Sequence, residues 1–284
     1  MRISLCVLAL SLCSIAAAQS PDSLPTPVPA AGAGASEAIP ESAKPAVAPA
    51  SGTLFMCRYM TDSGLYTLNS ITGAAKLVGS MSINQTCTDI AFRKTTASGT
   101  QLFGTSFTHL FLINPSTGRA TQTPHAYGGS ITDINALVAQ PGTGVLYGAG
   151  SRTPGELVQI NPTTGTATKV GSFGSGIGSS GDLEFLKGQL YGLVYKSTTG
   201  TDTYLAKISL SKSTMGHATS LLLLKRKVGS SYEVLHNVWG LANRSGVLYA
   251  TMETGEVLTI NPATGIATLK GDNKLNQAGL AVAP

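Results

Sequence analysis

One phrase recurs along this chain at nearly constant spacing, and it constrains the fold more than any other feature. It reads LYTLNSITGAAKLVGS from Leu65, LFLINPSTGRATQTP from Leu110, LVQINPTTGTATKVGS from Leu157 and VLTINPATGIATLKG from Val257. A degraded fifth copy, YLAKISLSKSTMGHATSLLL, has Ser209 where the other copies have their central Asn. Five copies that begin 45 to 52 residues apart indicate a repeat architecture.

Each copy has the same neighbours. A segment such as TDIAF or GDLEFL comes first, then a segment such as QLFGTS or QLYGLV, and then the two halves of the phrase. Apolar residues alternate or cluster over four to six positions between Gly, Asn, Pro and Ser, which is typical of short strands. In the NPxTG turn, Pro fixes φ, Asn caps the turn through its side chain, and Gly supplies a positive φ. The phrase therefore recurs for its backbone shape.

Four strands per repeat of about 45 residues are typical of a β-propeller blade. The first copy lacks its first strand, while the final residues, QAGLAVAP, read as a first strand with no successor. We therefore predict an all-β, five-bladed β-propeller with four strands per blade. Its first blade is completed by the C-terminal strand, which pairs beside Leu54 to Arg58, so that no sheet is left open at the seam.

The chain divides into three regions by composition. Residues 1–18 read as a signal peptide, with Arg2, a short apolar run and a cleavage site after Ala18; a lipid anchor at Cys13 is the alternative. Residues 19–51 are rich in Pro, Ala and Ser, and we read them as a disordered spacer. Residues 52–284 form the propeller domain. We expect a secreted or periplasmic protein without a transmembrane segment.

Two cysteines, Cys57 and Cys87, remain after the signal peptide is removed. In an oxidising compartment they predict one disulfide, and the alternative is a pair of buried thiols. The spacings of zinc sites are absent.

The charge pattern is mildly basic, with a formal net charge of +5 and only 12% charged residues. The densest basic cluster, Lys225 to Lys227, predicts a solvated loop or strand edge; a patch for an anionic partner is the alternative. No nucleic-acid-binding motif accompanies it. We expect a monomer whose partner is a protein or a carbohydrate, not a nucleic acid.

The pattern L-x-x-I-N-P-x-T-G-x-A-T-x-V-G resembles the repeats of secreted and periplasmic propellers of the quinoprotein-like and lactonase-like superfamilies. The resemblance covers nearly all of residues 52–284 and implies a propeller fold. Quinone-dependent dehydrogenases carry Trp at the end of this motif, where this chain has residues such as Val170 and Leu269, so no quinone cofactor is expected. Lactonase-like and lyase-like propellers imply a metal-binding or His-based site at the channel mouth, for which no residue-by-residue match exists here.

Ligands of propellers usually meet at the central channel, where the first strands of the blades converge. Asp89, Asp133 and Asp182 lead three of these strands. Three carboxylates near one axis suit a Ca²⁺ ion or an acid–base pair. The alternative is that each Asp accepts hydrogen bonds from backbone N–H groups of its own inter-blade turn.

A second candidate site surrounds the single tryptophan. Trp239 lies on an inner strand beside His236 and Asn237, and with Tyr127 and Phe173 it suits a sugar-stacking surface. The alternative is a Trp wedged between blades.

Two further features carry no catalytic signal. The Gly-rich run from Gly171 to Gly181 precedes no helix and reads as a flexible blade-connecting loop, not a phosphate cradle. The sequons at Asn84 and Asn243 accept glycans only in a eukaryotic host.

The function that these features favour is that of a secreted binding module for a protein or a glycan. The alternative is a lyase or hydrolase that uses carboxylates at the channel mouth. Four histidines and no recognisable nucleophile motif make an enzyme the weaker hypothesis.

Overall fold

The computed structural model describes residues 49–61 and 63–284. The predicted signal peptide and all but the last three residues of the predicted spacer lie outside these ranges. The described residues form five antiparallel sheets, one for each blade. Helix in this part of the chain is limited to a 3₁₀ turn at Lys212–Thr214, and no helix there has the length and hydrophobicity needed to cross a bilayer.

The strands of the blades are numbered in chain order. Blade one contains β22 (Gln277–Val282), β1 (Leu54–Arg58), β2 (Gly64–Leu68) and β3 (Ala75–Ser80). Blade two contains β4 (Asp89–Thr95), β5 (Gly99–Thr105), β6 (His109–Ile113) and β7 (Ala120–Ala126). Blade three contains β8 (Ile134–Ala139), β9 (Leu146–Gly150), β10 (Glu156–Ile160) and β11 (Ala167–Ser172).

The remaining strands form blades four and five. Blade four contains β12 (Ile177–Leu186), β13 (Gln189–Lys196), β14 (Tyr204–Ile208) and β15 (Ala218–Leu223). Blade five contains β18 (Val238–Arg244), β19 (Val247–Met252), β20 (Glu256–Ile260) and β21 (Ile266–Asp272), extended outward by β16 (Lys225–Val228) and β17 (Ser231–Val234).

The predicted five-bladed propeller is confirmed, including the closure of its first blade. Strand β22 pairs antiparallel with β1, with Leu54 opposite Val282 and Met56 opposite Leu280. The five inner strands β4, β8, β12, β18 and β22 each lie beside the next, and β22 lies beside β4. The ring is therefore closed without an open sheet edge at the seam.

The repeated turn has the predicted geometry. Asn161 Oδ1 accepts hydrogen bonds from the N–H groups of Thr163 at 2.9 Å and Thr164 at 3.1 Å, and Gly165 has a φ of +85°. The turns at Asn69, Asn114 and Asn261 repeat this arrangement. In the degraded copy, Ser209 Oγ takes the place of the Asn oxygen and accepts from the N–H of Ser211 at 3.2 Å.

The glycines that end the phrase have a packing role between blades. A Cβ on Gly171 of β11 would lie 2.1 Å from the carbonyl oxygen of Met215, in the turn of the next blade. Gly79 meets the turn of blade two in the same way, and Gly271 of blade five meets the turn of blade one. The same close contact thus recurs where the chain closes on itself.

Large side chains fill the spaces between neighbouring blades. Tyr127 and Phe173 follow the outer strands of blades two and three and are completely buried. Their carbonyl oxygens accept hydrogen bonds from the N–H groups of Ala167 at 2.9 Å and Ala218 at 3.1 Å in the next blade. The expectation that Tyr127 and Phe173 join a sugar-stacking surface is wrong, because both rings pack in the core between blades.

Blade five differs from the others by its added hairpin. Strand β16 pairs parallel with β21 and antiparallel with β17. The basic cluster thus lies on a strand that is paired on both sides, and the prediction of a solvated loop or strand edge is wrong. Arg226 pairs with Glu256 at 2.5 Å and with Glu233 at 2.8 Å. These carboxylates neutralise the most buried cation of the cluster.

The Gly-rich run from Gly171 to Gly181 is mostly strand, which corrects the loop prediction. Strand β11 ends at Ser172 and β12 begins at Ile177, so only residues 173–176 connect the two blades. Gly181 needs its lack of a side chain, because a Cβ there would lie 2.2 Å from the carbonyl oxygen of Trp239. The glycines thus permit close approach of inner strands.

Candidate functional site

The inner strands bring five equivalent positions to the propeller axis. The equivalent positions are identified from the pairing of each inner strand with the second strand of its blade. The five pairs are Ile90 with Gly104, Leu137 with Gly148, Leu183 with Gly192, Leu241 with Ala250, and Leu280 with Met56. The residue before each of these five is the axial position, namely Asp89, Ala136, Asp182, Gly240 and Gly279. Two carboxyl groups therefore share the axis with three residues of little or no side chain.

The two axial carboxyl groups hold neighbouring blades together. Asp89 Oδ2 accepts from the N–H of Leu137 in blade three at 2.6 Å. Asp182 Oδ2 accepts from the N–H of Leu241 in blade five at 2.7 Å and from that of Leu280 in blade one at 3.3 Å. Inner strands have no further strand to pair with, so these carboxyl oxygens satisfy donors that would otherwise be unpaired and buried.

The two carboxyl groups lie close to each other at the axis. Both are completely buried, and Asp182 Oδ1 has no hydrogen-bond partner in the described structure. Burial holds the pKa of Asp182 well above its usual range, and the nearby charge of Asp89 raises it further. Burial also raises the pKa of Asp89, against the hydrogen bonds that it accepts. The pair is therefore harder to ionise than exposed carboxyl groups, and its side chains close the channel at this level.

Asp133 does not join this pair. It precedes β8 by one residue, has a φ of +62°, and its carboxylate accepts from Thr132 and pairs with the exposed Arg152. In blade three the axial position belongs to Ala136, and Asp133 lies three residues before it. Among the described residues, no group of three or more His, Cys, Asp or Glu side chains is placed to hold a metal ion. The three-carboxylate Ca²⁺ site is thus not assembled.

A cleft of about 350 Å³ opens at one mouth of the channel. Five of its lining residues immediately precede the five axial positions, one from each inner strand or the residue leading into it: Thr88, Asn135, Gly181, Trp239 and Ala278. Since one strand residue advances about 3.3 Å, the floor of the cleft lies directly above the axial carboxyl pair.

Irregular strand pairing directs side chains into this cleft. The register shifts between Ile134 and Ala136 in β8, so that Asn135 is the extra residue. A second shift, between Val238 and Gly240 in β18, makes Trp239 the extra residue of its strand. Bulges re-aim side chains and are common next to functional sites. Both bulged residues line the cleft.

Aromatic rings form one side of the cleft. The rings of Trp239 and Tyr59 lie 5.0 Å apart at 60°, and Phe107 stands nearly perpendicular to Tyr59 at 6.4 Å. Tyr195 adds a fourth ring, and its hydroxyl donates to the carbonyl oxygen of Ser151 at 2.6 Å. Tyr59 and Phe107 were not predicted from the sequence, because they follow strands in different blades and share no periodic position.

The polar part of the lining consists of hydroxyl and amide groups. Asn135 donates from Nδ2 to the carbonyl oxygen of Ser179 at 3.0 Å, while its Oδ1 is buried and has no hydrogen-bond partner in the described structure. The other polar lining side chains are Thr88, Ser151, Ser179, Ser180, Thr201 and Asn237. None of the described residues that line the cleft carries a charge.

The remaining predicted residues, His236 and Asn237, occupy different places. Asn237 lines the cleft and donates from Nδ2 to Glu253 at 3.0 Å. His236 lies outside the lining, half exposed, with Nδ1 3.0 Å from a carboxylate oxygen of Asp202. The structure thus brings Trp239 and Asn237 together and places His236 in a peripheral ion pair.

The opposite mouth of the channel is lined mainly by apolar residues around Glu184. Burial raises the pKa of Glu184 to about 7, although its oxygens accept from the N–H groups of Phe185 at 2.6 Å and Asn243 at 2.9 Å. This carboxyl group, like the axial pair, satisfies a backbone donor of a neighbouring blade, that of Asn243 in blade five.

Cys57 and Cys87 are buried beside each other as free thiols. Burial raises the pKa of Cys87, and contact with Cys57 raises it further. The predicted disulfide is not formed in this structure, but the two residues that it would join are neighbours.

No family model and no curated protein sequence matches this chain. Solved structures with similar folds include a chain of the nidogen/laminin complex, at 10% identity, a TM-score of 0.48, and coverage of 82% of this chain and 98% of that one. A protein of unknown function from Bacteroides caccae is 13% identical, with a TM-score of 0.47 and coverage of 82% of this chain and 98% of that one. Glutaminyl cyclase from Myxococcus xanthus is 16% identical, with a TM-score of 0.44 and coverage of 70% of this chain and 72% of that one.

The strand order and the closed ring define the class of protein: this chain is a five-bladed β-propeller. It carries an uncharged aromatic cleft at one channel mouth. The predicted resemblance to quinoprotein-like and lactonase-like repeats stays a prediction at the level of superfamily.

Proposed function

We propose that this chain is a binding module that receives a protein or glycan partner in the cleft at the channel mouth. The observation that carries the proposal is the convergence of all five blades on one concave, uncharged surface. A cleft of about 350 Å³ with aromatic walls and a few polar groups has the usual character of a ligand site. The bulges at Asn135 and Trp239 serve no pairing and aim both side chains at that surface.

The geometry supports a binding module better than a lyase or hydrolase. A general acid or base must reach the proton that it transfers. Asp89 and Asp182 are completely buried below the cleft floor, and each accepts hydrogen bonds from backbone donors. Asp133 is held by Arg152 away from the pair.

Three further properties belong to the proposal. The protein is exported, with cleavage after Ala18, so the N-terminus of the mature chain would be Gln19. Export exposes Cys57 and Cys87 to an oxidising compartment, where their proximity favours a disulfide that ties blade one to blade two. The mature protein acts as a monomer.

The proposal is tested by screening the mature chain on a glycan array and on a peptide array. Trp239→Ala should abolish binding to whatever the wild type retains, because it removes the largest apolar surface of the cleft. Tyr232→Ala is the matched control, since Tyr232 is an exposed aromatic residue on the added hairpin of blade five. Binding that survives in Trp239→Ala but is lost in Tyr232→Ala would contradict the proposal.

A further inference from the structure

We propose that the cleft receives the terminal residue of a neutral glycan, with one face of the sugar ring packed on Trp239 and Tyr59. This inference rests on the proposed function and names the ligand class of the same site. It follows from the lack of charged lining residues, the aromatic geometry, the hydroxyl groups and the closed floor of the cleft.

The absence of charge among the described lining residues excludes ionic recognition at the site. Charged ligand groups would lose their hydration without gaining an ion pair, which carries a large cost in free energy. Near the mouth, Asp133 is already paired with Arg152. Phosphorylated, sulfated or carboxylated ligands therefore fit this surface poorly, and neutral hydroxylated ligands fit it well.

The aromatic geometry suits a ring with an apolar face. Trp239 and Tyr59 are tilted by 60°, so that the two rings form a wedge and not a stack. Phe107 packs edge-on against Tyr59 and fixes its orientation. Trp and Tyr present apolar faces with polar tips, which matches a sugar that has C–H groups on its face and hydroxyl groups on its rim.

The polar groups of the lining indicate what the rim of the ligand must provide. Asn135 has a fixed orientation, because its Nδ2 donates to the carbonyl oxygen of Ser179, and its Oδ1 is buried without a partner in the described structure. That oxygen has no exposed surface, so the polar contacts to a ligand come from the hydroxyl groups of Thr88, Ser180 and Thr201, which line the cleft and can both donate and accept, as the hydroxyl groups of a sugar do.

The closed floor distinguishes a chain end from an internal segment. Directly below the cleft the axis is filled by Asp89 and Asp182, and Gly279 leaves no free space, since a Cβ there would lie 2.1 Å from Asp89 Oδ1. A polymer therefore cannot pass along the channel axis. A single terminal residue of a glycan fits the volume of about 350 Å³ above this floor.

The test is isothermal titration calorimetry of the mature chain with neutral trisaccharides: cellotriose, maltotriose, xylotriose and chitotriose. At least one should bind, and a trimer of galacturonic acid should bind at least tenfold more weakly or not at all. Trp239→Ala should weaken binding by at least tenfold. Tyr232→Ala should match the wild type, and a long polymer of the bound sugar should compete in proportion to its chain ends, not its mass.

Three outcomes would overturn the inference. In the first, none of the four neutral sugars binds while peptides bind and are lost in Trp239→Ala, which leaves the proposed function intact. In the second, the acidic trimer binds more tightly than the neutral sugars. In the third, sugar binding is unchanged in Trp239→Ala, which also contradicts the proposed function.

Discussion

The axial carboxyl pair allows a prediction in which two substitutions at one position have opposite effects. Asp182→Ala removes the oxygen that accepts from Leu241 and Leu280 and leaves two buried N–H groups unpaired. An unpaired buried donor costs about 1–3 kcal/mol. Since the second of these bonds is long, we expect a loss of roughly 2–4 kcal/mol, or roughly 5–15 °C in the melting temperature for a domain of this size.

Asp182→Asn keeps the shape and changes the charge. The Asn oxygen still accepts from both N–H groups, and the neutral Asn amide removes the repulsion between two buried carboxyl groups. Each unit by which folding raises the pKa of Asp182 costs about 1.4 kcal/mol when the unfolded chain is ionised. Asn avoids this cost, so at pH 8 the variant should unfold at the same temperature as the wild type or higher.

The assay is differential scanning calorimetry of the wild type and both variants at pH 5 and pH 8. The wild type should become more stable relative to Asp182→Asn as the pH falls, because protonating the buried carboxyl group costs less free energy at lower pH. Equal destabilisation by Ala and Asn at pH 8 would refute the unfavourable ionisation of Asp182. Loss of less than 1 kcal/mol in Asp182→Ala would refute the inter-blade hydrogen bonds.

Four other predictions follow from the same structure. Gly171→Ala should lower stability by about 1–3 kcal/mol through overlap with the next blade. Gly150→Ala should not, because a Cβ there would make only ordinary contacts, the nearest at 3.7 Å; equal effects in urea melts would count against the packing role. Because burial raises the pKa of Glu184 to about 7, the folded state binds more protons than the unfolded state between pH 5 and 8. Stability should therefore fall over this range, and a melting temperature that rises instead would contradict this. Mass spectrometry of the exported protein should find Cys57 and Cys87 linked, and two alkylatable thiols after unfolding would show that they are not. Melting curves in Ca²⁺ and in EDTA should coincide, since only two carboxyls meet at the axis; a rise in Ca²⁺ would restore the metal hypothesis.

The fold was predictable because the repeat is local. The phrase INPTTG contains the capping Asn and the positive-φ Gly of its own turn, so each copy specifies a hairpin without reference to distant residues. The count of five copies and the unpaired final strand then determine the ring and its closure. The added hairpin of blade five was not predicted, since Lys225 to Val234 has no counterpart in the other repeats.

The candidate site was only partly predictable, because it depends on strand register. Asp89 and Asp133 each lie 15 residues before the Gly of a second strand, which made them look equivalent. In the structure, Ile90 pairs with Gly104 but Leu137 pairs with Gly148, so the hairpin of blade two is three residues longer. That difference moves Asp133 off the axis.

The aromatic side of the cleft was missed for a related reason. Tyr59 and Phe107 follow strands of two different blades, and only the ring of blades brings them to Trp239. The feature that marks the site is an inner strand with one residue more than the strand that it pairs with, as at Asn135.

The most direct test of the account uses the single tryptophan of the chain as a reporter. Trp239 lines the proposed site, so its fluorescence should shift and saturate when a bound trisaccharide or other ligand is titrated into the mature protein. The dissociation constant from fluorescence should equal that from calorimetry. A ligand that binds in calorimetry and leaves the emission of Trp239 unchanged would contradict the placement of the binding site at the channel mouth.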